Sequence, residues 1–298
     1  MDPSVFDTPR GVDVIPAARD DGDGIAPQVW CDLILRRCGL AFRHTRLADV
    51  IAAIRHQMSA HGVSTEGEFY RLLTKPDAGA AEWDALIERL INHETSFFRH
   101  PPSFDALRHH ILPELRDRRG RSGRLNFWSA GCSTGQEAYS IAMVAMADDT
   151  LRGEFAVWGG DISRLAIEVA RRGRYGPRAV ASIPDGYRQR FLRPDAAEFA
   201  IVDEVRSRVR FMATNLVGGD GFTATHDVIF CHNVLIYFSP AAVSQAVNLL
   251  ASRLTLGGYL LLGPGEAPAE RPHGLTPVTI AGVRAFQRRG ARPIEVRP

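Results

Sequence analysis

Two short glycine-bearing turns carry the residues best placed for chemistry. The first reads Ser129-Ala-Gly131-Cys-Ser-Thr-Gly135-Gln-Glu137 and follows an apolar run from Leu125. Glycines directly after a strand allow a tight turn and a close approach of the backbone to a ligand. The second, Gly159-Gly160-Asp161, closes the apolar run Phe155–Trp158. A carboxylate at that edge of a sheet can accept both hydroxyls of a ribose. The glycines of the first turn are spaced G-x-x-x-G. This is not the G-x-G-x-x-G of dinucleotide folds, and the Lys of a phosphate loop is missing. An adenosine ligand without a bound pyrophosphate satisfies both turns, and S-adenosylmethionine is such a ligand. Taken alone, the spacing is equally that of tight turns in an ordinary α/β fold.

The elements that must hold these turns are legible in the hydropathy pattern. The 298 residues are 45% apolar and 23% charged, which excludes wholesale disorder. Residues 1–26, with Asp2, Asp7, Asp13, Asp20, Asp21 and Asp23, read as a flexible acidic tail. Helical spacing then runs over 27–115, giving an N-terminal helical domain. Its second helix spans about Arg46–Ala60, and Gly39 suits a helix end. Thr65-Glu-Gly-Glu68 reads as a capping box, and Ser103 as the cap of a fifth helix. An arginine-rich linker is expected at 116–124. From Leu125 short strands alternate with helices, as in a mostly parallel sheet covered by helices. That domain is expected over 125–288, with an inserted β-subdomain at about 187–212 and a tail at 289–298.

Longer motifs add to this. The chain reads His93-Glu-Thr95-Ser-Phe-Phe-Arg99, then Gly131-Cys-Ser-Thr-Gly-Gln-Glu137-Ala-Tyr-Ser140, then Asn215-Leu216. Asp227-Val-Ile-Phe-Cys-His-Asn233-Val-Leu-Ile-Tyr237-Phe238 and Gly257-Gly-Tyr-Leu-Leu-Leu-Gly263-Pro-Gly-Glu266 follow. In this order they resemble the CheR family of chemotaxis receptor methyltransferases over about residues 28–288. The resemblance implies an α/β protein: an all-helical N-terminal domain before a class I, Rossmann-like S-adenosylmethionine-dependent methyltransferase domain with a small inserted β-subdomain. It implies transfer of a methyl group to glutamate side chains on the helical bundles of chemoreceptors in chemotaxis adaptation. The products are glutamate methyl esters and S-adenosylhomocysteine.

Carried over by position, cofactor contacts fall on His93, Thr95, Arg99, Glu137, Asp161, Asn215, Leu216, His232 and Asn233. Arg99 and Tyr237 are expected to hold the receiving carboxylate, and Arg46 and Arg55 to recognise the receptor. Two positions depart from the commonest family pattern, N-E-T becoming His93-Glu-Thr95 and R-N-V becoming His232-Asn-Val234. The second change removes a permanent charge, and a side-chain salt bridge at 232 is expected to be lost with it. The stretch Phe191–Phe199 contains no glycine where some members carry a glycine-rich docking loop. An enzyme independent of a receptor pentapeptide is therefore expected.

The remaining composition excludes other classes. The net charge of +2 and the absence of an N-P-P-Y type signature disfavour nucleic acid. Cys31, Cys38, Cys132 and Cys231 form no C-x-x-C pair, so neither zinc nor another metal is expected. The longest apolar runs fall short of the ~20 residues of a membrane span, and no signal peptide is visible, so a cytoplasmic monomer is expected. Two alternatives share these features: a protein that binds S-adenosylmethionine or S-adenosylhomocysteine without turnover, and a methyltransferase serving a signalling protein outside chemotaxis.

Overall fold

The computed structural model describes residues 24–42, 44–75, 79–119, 123–148, 151, 154–219, 221 and 224–289. The expected tails, 1–26 and 289–298, lie almost wholly outside the described residues.

The chain opens with α1 (Pro27–Cys38), a 3-10 turn at His44–Arg46, α2 (Leu47–Ala60), α3 (Glu66–Thr74) and α4 (Ala80–Leu90). Pro27 starts α1, where its missing N–H costs nothing. Gly39 ends it at φ 78°, donating its N–H to the Leu35 carbonyl. The Thr65 hydroxyl accepts from the Glu68 N–H at 3.2 Å, the expected cap of α3. The apolar faces of the four helices meet in one core around Trp30, Ile34, Ile54, Phe69, Trp83 and Leu86. Buried polar groups there find partners: Trp83 Nε1 donates to Leu73 O and Gln57 Nε2 to Ala85 O.

Next come α5 (Pro101–Ala106), a π-helical turn (Leu107–Ile111) and α6 (Leu112–Arg119). Pro113 has no N–H to offer residue 109, and the wider turn takes up the mismatch. This stretch corrects two expectations. It does not close the helical domain at 115: Phe104, Leu107, Ile111, Leu112 and Leu115 are buried against Phe127, Phe155 and Val157 of the sheet. Nor is 116–124 wholly a linker. Arg116 and Arg118 are helical, and they pair with Asp148 and Glu114. The 3.6-residue period found the helix, but periodicity does not say which core an apolar face meets. Ser103 is not a cap either, because Pro101 already begins the helix after His100.

The rest of the chain is β1 (Leu125–Ala130), α7 (Gln136–Ala147), β2 (Phe155–Asp161), α8 (Arg164–Arg172), β3 (Arg174–Tyr175), α9 (Pro177–Val180), α10 (Asp185–Phe191), β4 (Leu192–Asp195), β5 (Glu198–Ile201), α11 (Asp203–Arg206), β6 (Val209–Ala213), β7 (His226–Cys231), a 3-10 turn (Leu235–Tyr237), α12 (Pro240–Ser252), β8 (Leu254–Leu262), β9 (Leu275–Ile280) and β10 (Val283–Arg288). Seven strands form one sheet in the order β6-β2-β1-β7-β8-β10-β9. The first five run parallel, and β10 pairs antiparallel with β8 and β9. From β1 the chain builds outward through β2 to β6, then returns to place β7 on the other side of β1. The strand order therefore switches between β1 and β7, where a crevice opens beyond the strand ends.

A second, three-stranded sheet, β3-β5-β4, makes the inserted subdomain. It spans Arg174 to Ile201, not 187–212. Val209–Ala213 instead joins the main sheet, with Val157 facing Val209 and Gly159 facing Phe211. The alternation marks a strand without naming its partner, and burial of Val209 and Phe211 in the main core decides it.

Candidate functional site

The crevice at the switch point is bounded by the turns that follow β1, β2 and β7. Gly131 leaves β1 at φ 79°, and a Cβ there would lie 2.2 Å from Val234 Cγ2. Glycine thus lets the turns after β1 and β7 touch across the switch point. Ser133, also at positive φ (47°), donates its N–H to Asp161 Oδ2 at 2.7 Å. Asp161 Oδ1 accepts the Ser163 N–H at 2.9 Å. Burial pushes the Asp161 carboxyl above its ordinary range, and these two N–H groups pull it back. A carboxylate has about four lone-pair sites, so each oxygen can still accept from a ligand.

Glu137 stands in the first turn of α7, where a helix favours an anion. Its Oε1 accepts the Ser129 hydroxyl at 2.7 Å, and its Oε2 lies 2.9 Å from His232 Nδ1. No permanent charge stands at position 232, but the buried imidazole lies within hydrogen-bonding distance of Glu137, so a polar contact stands where the loss of a salt bridge was expected. His232 Nε2 is 3.4 Å from the buried Ser103 hydroxyl, which is 2.7 Å from His100 Nδ1. Burial, and then the charge of His232, hold His100 below its ordinary pKa.

The segment between α4 and α5 supplies the other wall. His93 Nε2 is 2.6 Å from Glu88 Oε1, and the His93 carbonyl accepts from Ser133 Oγ. Arg99 Nη1 donates to the Glu94 carbonyl at 2.7 Å, leaving the guanidinium half exposed. Phe97 is buried edge-on against Tyr175, and the Phe98 N–H donates to Ser140 Oγ. These two contacts anchor the segment to α7 and the small sheet.

The helical core closes the crevice from above. The Ala41 N–H donates to the Tyr237 carbonyl at 2.9 Å, and Leu40 bridges Phe238. Asn215 Nδ2 donates to the Arg37 carbonyl at 2.7 Å while its Oδ1 accepts the Val217 N–H. Across the opening, Arg164 on α8 pairs with Asp84 on α4 at 2.8 Å, and Ser163 Oγ donates to Glu88.

A partly open cavity of about 130 Å³ occupies the crevice. His93, Thr95, Arg99, Glu137 and Asp161 line it, as do Asn215, Leu216, His232, Asn233 and Tyr237. Two recognition candidates separate. Arg46 sits in the 3-10 turn before α2, pairs with Asp49 and lines this cavity. Arg55 is exposed on α2 and lies outside it. Sequence reading missed Leu40, Phe42 and Phe238, which give the cavity apolar walls. No period marks a connector such as 39–42, so only the packing of the helices onto the sheet reveals it. The arrangement suits an elongated ligand with hydroxyls near Asp161 and charged groups near Glu137 and Arg99. Among the described residues no cluster has the ligands for a metal, and no helix is long and apolar enough to cross a membrane.

Comparison with known proteins matches residues 93–280 to the family described as "CheR methyltransferase, SAM binding domain". Residues 28–91 match "CheR methyltransferase, all-alpha domain". The boundary falls where α4 ends, between the two cores. The chain is 34% identical over 271 residues to a "Probable biofilm formation methyltransferase WspC" of Pseudomonas aeruginosa, covering 88% of this chain and 63% of that protein. It is 30% identical to a "Probable chemotaxis protein methyltransferase" of Rhizobium etli, covering 78% of this chain and 89% of that protein. A "Chemotaxis protein methyltransferase" of Vibrio parahaemolyticus is 35% identical over 189 residues, 61% of this chain and 68% of that protein.

Proposed function

The chain belongs to the CheR methyltransferase family, and from that premise we propose that it methylates glutamate side chains on the helical bundles of chemoreceptors. The products are glutamate methyl esters and S-adenosylhomocysteine. The observation that carries this reading is convergence: all ten residues expected at the cofactor and the reacting carboxylate border one cavity at the switch point.

The cavity fits S-adenosylmethionine by the chemistry of its donors and acceptors. Asp161, with one N–H on each oxygen, has capacity left for the two ribose hydroxyls. Glu137 and Arg99 suit the amino and carboxylate groups of the methionine part. The Asn215 amide gives one N–H to Arg37 and one lone pair to Val217, which leaves one N–H and one lone pair to frame the adenine beside Leu216. When bound, the cofactor supplies an electrophilic methyl group on a sulfonium. Arg99 and Tyr237 hold the incoming carboxylate. That group is ionised at neutral pH, so no strong base is needed. Leu40, Phe42 and Phe238 keep water from the reacting centre, and the rate comes from alignment and desolvation. Arg55, outside the cavity, is the residue left to meet the acidic receptor surface. The β4–β5 connection, with Ala196 at φ 53° and no glycine, supports docking without a receptor pentapeptide.

The 34% identity to the biofilm relative favours one second reading: the same chemistry on a receptor that governs surface growth rather than swimming. Both readings are tested by incubating the purified chain, labelled S-adenosylmethionine and membranes carrying individual receptors. Base-labile label released as methanol from a receptor band is expected, and the receptor that takes it separates the two. Cofactor binding without transfer to any receptor overturns both and leaves a sensor.

A further inference from the structure

We propose that Glu266 is a positioning residue that holds the loop after β7 in the shape the active site needs. The proposal rests on the reading above, which gives that loop its work. β7 ends at Cys231, and the next six residues bring His232, Asn233, Val234 and Tyr237 to the cavity. The loop needs a defined shape, with Asn233 at φ 60° in the left-handed region that Asn enters more readily than most residues.

Glu266 imposes it. The side chain is buried, at 4% exposure. Its Oε2 accepts the N–H groups of Asn233 at 2.6 Å and Gly263 at 2.9 Å. Its Oε1 accepts Val234 and Leu235 at 2.8 Å and Ile236 at 3.3 Å. The first N–H groups of a helical turn have no partner within it, and here one carboxylate gathers them. Gly263 makes the room: a Cβ there would lie 2.1 Å from Glu266 Oε2 and 3.1 Å from the Asn233 nitrogen. The sequence stretch Gly263-Pro-Gly-Glu266 thus encodes a socket and its plug. The loop is tied at its far end as well, by the Ala41 N–H on the Tyr237 carbonyl. His232 and Tyr237 flank the stretch that Glu266 holds, and both line the cavity.

The test uses the full chain and S-adenosylhomocysteine. Glu266→Gln keeps the size of the side chain but turns an NH2 group toward N–H donors. Calorimetry is expected to show affinity for S-adenosylhomocysteine reduced about tenfold or more, because misplaced contact groups lose much of their effect. Gly263→Ala crowds the same carboxylate and is expected to do the same. A role in folding alone would lower the melting temperature and leave the folded molecules with wild-type affinity. Folded variants that bind like the wild type overturn the proposal. Amide exchange on the unsubstituted chain needs no variant. The N–H groups of Asn233 to Ile236 are expected to be protected before any ligand is added. Rapid exchange there, slowed only by S-adenosylhomocysteine, would mean that the ligand orders the loop, and the proposal fails. Failure of the wild type to bind S-adenosylhomocysteine would instead remove the functional reading, and the exchange result would still judge the clamp.

Discussion

Asp161 shows how one side chain can serve the backbone and a ligand together. Its two oxygens fix the turns after β1 and β2 through Ser133 and Ser163, and the remaining lone pairs face the cavity. Asp161→Asn keeps one acceptor and loses the charge. Cofactor affinity is expected to fall by about 1.5–3 kcal/mol, the worth of hydrogen bonds to a charged group. Unchanged affinity in calorimetry would remove the ribose assignment. His100 gives a pH signature. Its pKa in the folded chain lies below the ordinary 6.5, chiefly through burial. As pH falls below 6.5 the unfolded chain takes up a proton that the folded chain refuses, so stability drops until the lowered folded pKa is passed. His100→Asn, which can still hydrogen-bond to Ser103, is expected to flatten the fall in melting temperature between pH 7.5 and 5.5. Equal slopes in both proteins would show that His100 does not titrate in this way.

At the scale of elements, the site exists because parallel strands leave a gap where their order reverses. β1 and β7 are neighbours with turns that diverge, and Gly131 sets how closely those turns approach. Several contacts bind the helices α1–α4 to this edge, among them Ala41 with the Tyr237 carbonyl and Ser163 with Glu88. Two more are side-chain clasps: Asn215 with Arg37 beside β6, and Arg164 with Asp84 at α8. The Asn215 clasp is the better shielded, so it carries more of the coupling than the half-exposed ion pair. Asn215→Ala should lower stability by about 1–3 kcal/mol, since it strips the amide from both the Arg37 carbonyl and the Val217 N–H. Urea unfolding measures this. An unchanged midpoint would show that the clasp bears no load.

For the whole molecule, the helical core is roof before it is handle. Leu40, Phe42 and Arg46 come from it and line the cavity, while Arg55 points away on the exposed side of α2. Two arginines that the sequence could only group as one basic helix are thereby separated, Arg46 at the cavity and Arg55 outside it. Arg55→Glu is expected to reduce receptor methylation about tenfold at low salt through weakened charge complementarity. Affinity for S-adenosylhomocysteine should stay unchanged. The difference between the two proteins should shrink as salt is raised. Full methylation by the variant would place docking on another surface.

The sequence by itself determined the elements and the chemistry of the site. The second helix to within a residue, the Gly39 end of α1 and the Thr65 cap of α3 were readable, because an apolar period, caps and glycines are local signals. Motif order placed His93, Glu137, Asp161 and Tyr237 in one family pattern before any fold was known. Only the tertiary structure decided what these local signals leave open. It gave α5 and α6 to the sheet rather than to the helical core, and β6 to the main sheet rather than to the insertion. It tied the Asn215 amide to Arg37 in the helical core, and it set His232 beside Glu137. It also gave Glu266 five backbone donors from two separate segments. Each of these is a contact between residues far apart in the chain, or a choice between two apolar surfaces of equal appeal. Periodicity and spacing carry no information about such partners; burial and the pairing of buried polar groups select them.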